Sequence, residues 1–201
     1  SPLINPEAGA RRAIAESLTN LIWAPVTNKS QGVSLSANWM WPAKNNGENA
    51  RLYQAVKAVS DFAIELGINI PTGKDSLSMT QKYPDGDIVF SPGTVIISAV
   101  GEVTDIKKAI TPVIATIPGS KLIYLDLSDS AYELGGSSFA QSLNKVGSTC
   151  PDTANAKYFS SAFNAIQSFL EDGKIIAGHD ISAGGMITTL LEMNFANCDH
   201  G

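Results

Sequence analysis

The sequence predicts a fold in which α-helices and β-strands alternate, divided into two consecutive units. Residues 48–66 place apolar side chains three and four apart, as a helix does, and residues 94–103 form a β-branched run typical of a buried strand. Between residues 103 and 121 the periodicity weakens and prolines accumulate, which indicates a boundary between units. With 201 residues, 44% of them hydrophobic, the chain can bury a substantial core.

Two helices are predicted in the first unit. Residues 8–23 carry an apolar stripe, and Pro25 follows at a position where a helix cannot continue. Residues 48–66 form the longer helix, and Gly67 stands just past its end, where a glycine commonly stops a helix. Both helices have an apolar face to pack against a sheet.

The strands of the first unit surround these helices in the chain. Residues 33–40 and 94–103 have the composition of strands. Residues 68–70 form a short third strand, which leads through Pro71 into the polar segment 72–79. We therefore expect the polar segment to be a loop that follows a strand.

The second unit repeats the alternation of strands and helices. A sheet that contains its two strands would ordinarily need further strands, so we expect the chain to be a piece of a larger protein. Exposed sheet edges would then favour self-association of the piece. The predicted strands are 122–127 and 174–178, and the predicted helices run from 135 toward 143, from 156 to 171, and from 186 to 197.

Charge and cysteine content exclude several classes of function. The net charge of −5 and a pI near 5.0 argue against nucleic-acid binding, which needs a clustered basic surface. Cys150 and Cys198 have neither the number of a disulfide framework nor the spacing of metal ligands. There is no signal-peptide pattern and no apolar run as long as a membrane span. We expect a cytoplasmic, soluble protein that does not contact a membrane.

The segment 179–185 lies between a predicted strand and a predicted helix. Asp180 would stand at the carboxyl end of the strand, and Gly184 and Gly185 would precede the helix, whose free N–H groups attract phosphate. This arrangement predicts a site for a metal-bound phosphate. The alternative is that Asp180 or Ser182 caps the helix and the glycines only form the turn.

Glu16 and Asn20 lie four residues apart on the first predicted helix. Side chains at this spacing project from the same side, so their oxygens can reach one cation together. Mg²⁺ bound to phosphates takes few protein oxygens, and the pair is compatible with that ligation. The alternative is an ordinary solvated helix face.

The polar segment contains a second candidate phosphate site. Lys74, Asp75 and Ser76 follow the predicted strand 68–70 and could meet a phosphate or a second cation, although the spacing is not that of a Walker A loop. The alternative is a surface turn.

His179 has no ligand partner at zinc spacing and is interpreted as a structural residue. The three tryptophans are interpreted as core residues.

Five segments, taken in order, form a specific pattern. They are Glu16-Ser17-Leu18-Thr19-Asn20, Leu35-Ser36-Ala37-Asn38-Trp39-Met40-Trp41, Gly73-Lys74-Asp75-Ser76-Leu77-Ser78-Met79, Leu134-Gly135-Gly136-Ser137 and His179-Asp180-Ile181-Ser182. This order resembles the phosphoribosylformylglycinamidine synthases of the large single-chain type. The resemblance covers nearly the whole chain, and its Asn-Trp-Met-Trp and Gly-Lys-Asp-Ser motifs are far more specific than a single glycine-rich loop.

The resemblance implies an α+β fold and a place within a larger enzyme. The chain is similar to much of the second of two related halves, each of AIR-synthetase-like fold. Residues 1–116 would form the N-terminal type of subdomain, incomplete at its start, and residues 117–201 a truncated α/β C-terminal type. The family reaction uses ATP and glutamine to convert formylglycinamide ribonucleotide to the amidine in purine biosynthesis, with a glutaminase domain as a downstream partner.

The resemblance also assigns roles to individual residues. Glu16, Asn20 and Asp180 match magnesium ligands, and Ser182 matches a nucleotide contact. The implied cofactors are Mg²⁺ and ATP or ADP, held at an auxiliary rather than a catalytic site, so the piece alone should be inactive. Many large members have Asp where this chain has Ala183, and a further aspartate ligand and the ATP loop lie upstream.

Two other classes remain open. One is a scaffold module that keeps these residues for packing and binds no ligand. The other is a different member of the AIR-synthetase superfamily, such as selenophosphate synthetase or thiamine-phosphate kinase. The motif Asn38-Trp39-Met40-Trp41 argues against the second.

Overall fold

The computed structural model describes residues 2–128 and 131–197. Helices and strands are mixed, which confirms the predicted α+β class. Two short 3₁₀ turns precede β1 and follow β5. The elements are α1 Pro6–Leu21, β1 Val33–Met40, α2 Glu48–Leu66, β2 Asn69–Ser76, β3 Thr80–Lys82, β4 Ile88–Phe90, β5 Thr94–Gly101, α3 Ser138–Ser142, α4 Ala156–Glu171 and α5 Gly185–Asn194.

The main sheet has the strand order β2-β1-β5, and β3 and β4 form a separate antiparallel pair. In the main sheet β1 runs parallel to β2 and antiparallel to β5. Gly73 allows β2 to approach β1 closely, because a Cβ at this position would lie 2.3 Å from the carbonyl oxygen of Ala37. Any other residue there would push the two strands apart.

Helices α1 and α2 cover one face of the main sheet. The alternation along β1 turns Val33 and Leu35 into the core, where Ile14 and Leu18 of α1 are fully buried. Asn5 caps α1 by accepting hydrogen bonds from two backbone N–H groups. At the C-terminal end of α2, Gly67 adopts the left-handed conformation, as expected for a glycine that ends a helix.

Helix α4 belongs to the second predicted unit but packs into this same core. Phe159 and Phe163 are buried, and the Phe159 ring meets Phe62 of α2 edge to face at a centroid distance of 6.3 Å. The division at residues 116 and 117 stays a prediction. The core, however, is shared across it.

A fully buried glutamine joins α4 to the chain that leaves α1. The Gln167 side-chain amide donates to the carbonyl oxygens of Ile22 and Ala24 at 2.6 and 3.1 Å, and its oxygen accepts from the Val26 N–H at 2.8 Å. The end of a helix leaves backbone groups without partners inside the helix. Gln167 supplies partners for them where water cannot reach.

The strands predicted at 122–127 and 174–178 do not form. Leu122 and Ile123 are 68% and 73% exposed, and no strand among the described residues pairs with either segment. These segments do have the residues that favour strands. A strand also needs an adjacent strand to pair with its backbone N–H and C=O groups, and here none is present among the described residues. Both predictions are therefore wrong for this chain.

The polar segment after Pro71 also differs from its prediction. The sequence predicts a loop after a short strand, but Gly73 to Ser76 continue β2 and pair with β1. Parallel pairing with β1 extends the strand through the polar residues because β1 supplies the backbone partners.

The remaining helix predictions hold, with α3 short and α5 ending at Asn194. Cys198 lies outside the described residues.

Over residues 2–128 and 131–197, the helices are too short or too polar to cross a lipid bilayer.

Replacing Gln167 by methionine, which has a similar volume, should lower the free energy of unfolding by about 2–4 kcal/mol, because three buried backbone groups lose their partners. Urea unfolding followed by circular dichroism measures this change. Gln54→Met, an exposed position on α2, is the matched control and should change stability by less than about 0.5 kcal/mol. A Gln167 variant as stable as the control would contradict the assigned role.

The Arg11–Asp152 ion pair predicts a pH dependence of stability. Arg11 donates two hydrogen bonds to the Asp152 carboxylate, at 2.9 and 2.6 Å. Burial alone would raise the pKa of Asp152, but hydrogen bonds from Arg11 and from the Thr153 N–H, with the charge of Arg11, outweigh it, so the pKa is lowered. The stabilisation is present above the unfolded-state pKa of about 3.9 and is lost as the pH falls through the lower folded-state value.

Asp152→Asn should therefore cost about 1–2 kcal/mol at pH 7, and the difference from the unmodified chain should shrink toward zero as the pH falls below about 4. Unfolding measured from pH 7 to pH 2.5 tests this. Asp61→Asn, in an exposed pair with Lys57, should show little difference at any pH. A pH-independent difference for Asp152→Asn would show that the carboxylate charge is not responsible.

Candidate functional site

A hydrogen bond joins α1 to the segment before α5. The Ser182 hydroxyl donates to Glu16 Oε1 at 2.5 Å, across 166 residues of sequence. The two segments that carried separate sequence predictions, one for a cation and one for a phosphate, therefore meet. This contact is the centre of the candidate site.

On α1, Asn20 lies one turn beyond Glu16. Its side-chain amide donates to the backbone carbonyl of Glu16 at 2.7 Å, and the four-residue spacing places both side chains on the same side of the helix. Both residues line a cleft of about 800 Å³ that runs between α1 and β5. The pair therefore faces open space and not the core.

Asp180 lies two residues before Ser182, with 14% of its side chain exposed. Its backbone carbonyl accepts hydrogen bonds from the Thr189 hydroxyl at 3.2 Å and from His179 Nδ1 at 2.8 Å. His179 Nε2 lies 3.2 Å from Glu192 Oε2 on α5. These contacts give His179 a role in tying the segment to α5, in agreement with its interpretation as a structural residue.

The start of α5 distinguishes the two interpretations of the glycines. No side chain caps this helix: its N-cap is Gly184, with φ of 94°, and the Gly185 N–H donates to the Ser182 carbonyl at 3.1 Å. The Ser182 hydroxyl is directed to Glu16 instead. The alternative that Asp180 or Ser182 caps the helix is therefore wrong. The N–H of Gly185 is occupied by the Ser182 carbonyl, and no side chain caps the N–H groups that follow it.

The second phosphate candidate lies elsewhere. Lys74, Asp75 and Ser76 belong to β2, at the opposite edge of the sheet from β5, so about 10 Å of sheet separates them from the cleft. Lys74 and Asp75 are exposed. The structure does not bring these residues to Glu16.

The donor set fits a hard divalent cation. Glu16 and Asp180 carry carboxylates and Asn20 an amide, which are the oxygens that Mg²⁺ prefers. Of these three residues, Glu16 and Asn20 line the cleft, and the Asp180 carboxylate lies 3.4 Å from His179 Nδ1. In the part of the chain that the structure describes, no group of three or more His, Cys, Asp or Glu residues is arranged to hold a metal ion. Any metal at this site would therefore be held by two carboxylates at most, with the amide and water.

Sequence reasoning missed the walls of the cleft. Ser17 and Trp23 line it from α1 and the turn that follows, and Ile110 lies across from them. The sequence indicates a core residue at Trp23, and the ring does pack against the core, but it also borders the cleft. Residues of β5 also line the cleft. Their apolar composition did not predict this, because residues beside a cleft and residues in a core can be equally hydrophobic.

Comparison with known proteins agrees with this fold. The sequence profile of the FGAR-AT PurM_N-like domain family matches residues 1–102, about half of the chain, and the chain belongs to this family. The matched part contains α1, the main sheet and α2, and thus Glu16 and Asn20.

Several curated proteins are similar over almost the whole chain. A probable phosphoribosylformylglycinamidine synthase of Caenorhabditis elegans is 43% identical over 96% of this chain, and the phosphoribosylformylglycinamidine synthase of Homo sapiens is 40% identical over 98%. An Arabidopsis thaliana protein named as a probable chloroplastic/mitochondrial form is 44% identical over 96%. The chain spans only about 15% of the length of these relatives.

Solved structures with low sequence identity share the fold. T. maritima PurL complexed with ATP superposes with a TM-score of 0.54 at 14% identity, covering 96% of this chain and 27% of that protein. The same protein complexed with FGAR gives a TM-score of 0.59 at 13% identity, covering 95% of this chain and 29% of that one. At this identity the match supports the AIR-synthetase-like fold alone.

The two glycines at the start of α5 should differ in how much they resist substitution. Both have positive φ, so Ala at either position costs about 1 kcal/mol in backbone strain. At Gly184 the added Cβ would also lie 2.5 Å from the Thr188 hydroxyl, whereas at Gly185 it meets open space. Hydrogen exchange of the α5 amides should therefore be faster in Gly184→Ala than in Gly185→Ala. Equal rates would contradict this geometry of the turn.

Proposed function

We propose that this chain is part of a phosphoribosylformylglycinamidine synthase and that it contributes an Mg²⁺-nucleotide site. Glu16, Asn20 and Asp180 are the proposed metal ligands, and Ser182 is the proposed nucleotide contact. The observation that carries the proposal is the hydrogen bond between Ser182 and Glu16, because it brings the helix and the loop together.

The wider activity follows from the relatives. They carry the name of an enzyme of purine biosynthesis, and the solved structures that share the fold are complexes with ATP and with FGAR. We extend to the complete protein the ATP- and glutamine-dependent conversion of formylglycinamide ribonucleotide to its amidine, a glutaminase domain as partner, and a cytoplasmic location. Because the chain spans about 15% of the relatives' length, these properties belong to the whole protein.

The geometry suggests how the site holds a nucleotide. A bound Mg²⁺ would neutralise phosphate charge between the carboxylates and the nucleotide. The N–H groups of α5 beyond Gly185 would donate to phosphate oxygens, and Gly184 and Gly185 place no side chain in their way. The Ser182 hydroxyl can exchange its bond with Glu16 for one with a phosphate oxygen. Asn20 stands one turn beyond Glu16 on the same side of α1, where its amide oxygen would reach the same cation.

The site is proposed to be auxiliary. Among the described residues, the ionisable side chains assigned to it are the carboxylates of Glu16 and Asp180 with the neighbouring His179, whose Nε2 lies 3.2 Å from Glu192. Lys74, the nearest sequence candidate for a phosphate-binding cation, lies at the far edge of the sheet. A site without a cation aimed at the terminal phosphate is better suited to holding a nucleotide than to transferring its phosphoryl group. Lys74, Asp75 and Ser76 remain candidates for a separate phosphate.

A scaffold module is the second candidate function. The observation that favours it is the same hydrogen bond: the Ser182 hydroxyl satisfies Glu16 without a cation, so the two segments can hold together by themselves. In that case the residues stabilise the packing of α5 on α1, and no ligand is required. The two functions differ in what happens when Mg²⁺ and nucleotide are added.

Calorimetric titration of the chain with ADP in the presence of Mg²⁺ tests the proposal. The chain should bind with measurable heat, and Glu16→Gln should weaken binding at least about 10-fold, because a ligand carboxylate is lost. Glu65→Gln on the exposed side of α2 removes the same charge away from the site and should leave the affinity unchanged. Absence of heat with the unmodified chain would instead support the scaffold.

A further inference from the structure

A second contact joins the turn after α1 to the chain that leads into the Ser182 loop. Gly178 is buried against the indole ring of Trp23, and a Cβ built on Gly178 would lie 2.1 Å from Trp23 Cζ3. No side chain fits at that distance, so the ring and the glycine backbone are in direct contact. Gly178 is required here by this close approach.

The same two residues are bonded to one intervening segment. The Ile110 N–H donates to the Trp23 carbonyl at 3.0 Å, and the Gly178 N–H donates to the Thr111 carbonyl at 3.2 Å. Residues 110 and 111 thus connect the exit of α1 to the start of the loop. This backbone pairing fixes which residue of the loop lies against the Trp23 ring.

The spacing of the two contacts matches on both chain segments. Glu16 and Trp23 are seven residues apart, and seven residues of helix rise about 10.5 Å. Helical dihedrals continue through Ile22, the residue before Trp23. Gly178 and Ser182 are four residues apart, which spans at most about 14 Å of extended chain. The loop can therefore lie along α1 with Gly178 on Trp23 and Ser182 on Glu16.

We propose that Trp23 is a positioning residue, which sets how far the segment 179–182 stands from α1 and so places Asp180 and Ser182 opposite Glu16. The role of this placement in binding rests on the proposed function. The contact between Trp23 and Gly178 does not depend on any ligand. The Trp23 Nε1–H is buried without a hydrogen-bond partner among the described residues. Packing, and not hydrogen bonding of the indole, therefore holds the ring at this place.

The test uses a pair of cysteines to report the distance between helix and loop. In the chain carrying Glu16→Cys and Ser182→Cys, oxidation should form a disulfide between residues 16 and 182, identified by mass spectrometry of the linked peptides, which separates it from bonds to Cys150 or Cys198. The rate of formation measures how well the loop is placed.

Adding Gly178→Ala to this pair should slow cross-linking at least about 10-fold, because the methyl group displaces the loop from the ring. Adding Trp23→Phe as well should restore the rate to within about threefold, because the smaller ring leaves room for the methyl group. Trp23→Phe alone should also stay within about threefold. Unchanged cross-linking in Gly178→Ala, or no rescue by Trp23→Phe, would overturn the proposal.

A further variant covers the case in which Gly178→Ala does not fold. Trp23→Leu keeps Gly178 but removes the aromatic surface, and it should slow cross-linking at least about fivefold while circular dichroism shows a folded chain. An unchanged rate would overturn the proposal. Titration of the Gly178→Ala and rescued chains, with Glu16 and Ser182 intact, with Mg²⁺ and ADP gives the second readout. If the unmodified chain binds no nucleotide, the proposed function fails, while the cross-linking rates still decide the role of Trp23.

Discussion

The buried side chain of Gln167 is the constraint on which the arrangement of this chain depends. It binds three backbone groups of the segment that leaves α1, and it comes from a helix more than 140 residues later in the sequence. Neighbouring residues add to the attachment: Asn164 accepts a hydrogen bond from the Ser30 N–H, and Ser168 accepts one from Lys29. Because buried backbone groups must be paired, this segment can leave the core in only one way while α4 is in place.

The candidate site is a consequence of that constraint. Trp23 lies inside the segment held by Gln167, its ring supports Gly178, and the loop that follows reaches Glu16 through Ser182. A core contact is thus linked to a surface site through a short series of adjacent residues. The first step is buried and strong, and the last is an exposed hydrogen bond that a ligand can replace. A site that binds and releases a ligand needs exposed contacts that can exchange, held in place by buried contacts that do not.

Local patterns in the sequence predicted the elements whose partners lie within the chain. The bounds of α2 followed from its apolar face and Gly67, and β1 is flanked by strands on both sides. The segments 122–127 and 174–178 have equally apolar sequences but no strand beside them, and so they do not form strands. Spacing alone paired Glu16 with Asn20, but placing Ser182 in the same site as Glu16 depended on the family resemblance, since tertiary contact over 160 residues leaves no local signal. The clefts and ring contacts could not be predicted for the same reason.

The most direct test of the site is to locate a cation in it. Crystals of the chain grown with ADP and Mn²⁺ in place of Mg²⁺ would show the metal by its anomalous scattering. The proposed ligand set predicts one peak within about 2.5 Å of carboxylate oxygens of both Glu16 and Asp180, with Ser182 turned from Glu16 toward the nucleotide. A peak elsewhere, or none while the bond between Ser182 and Glu16 persists, would contradict it.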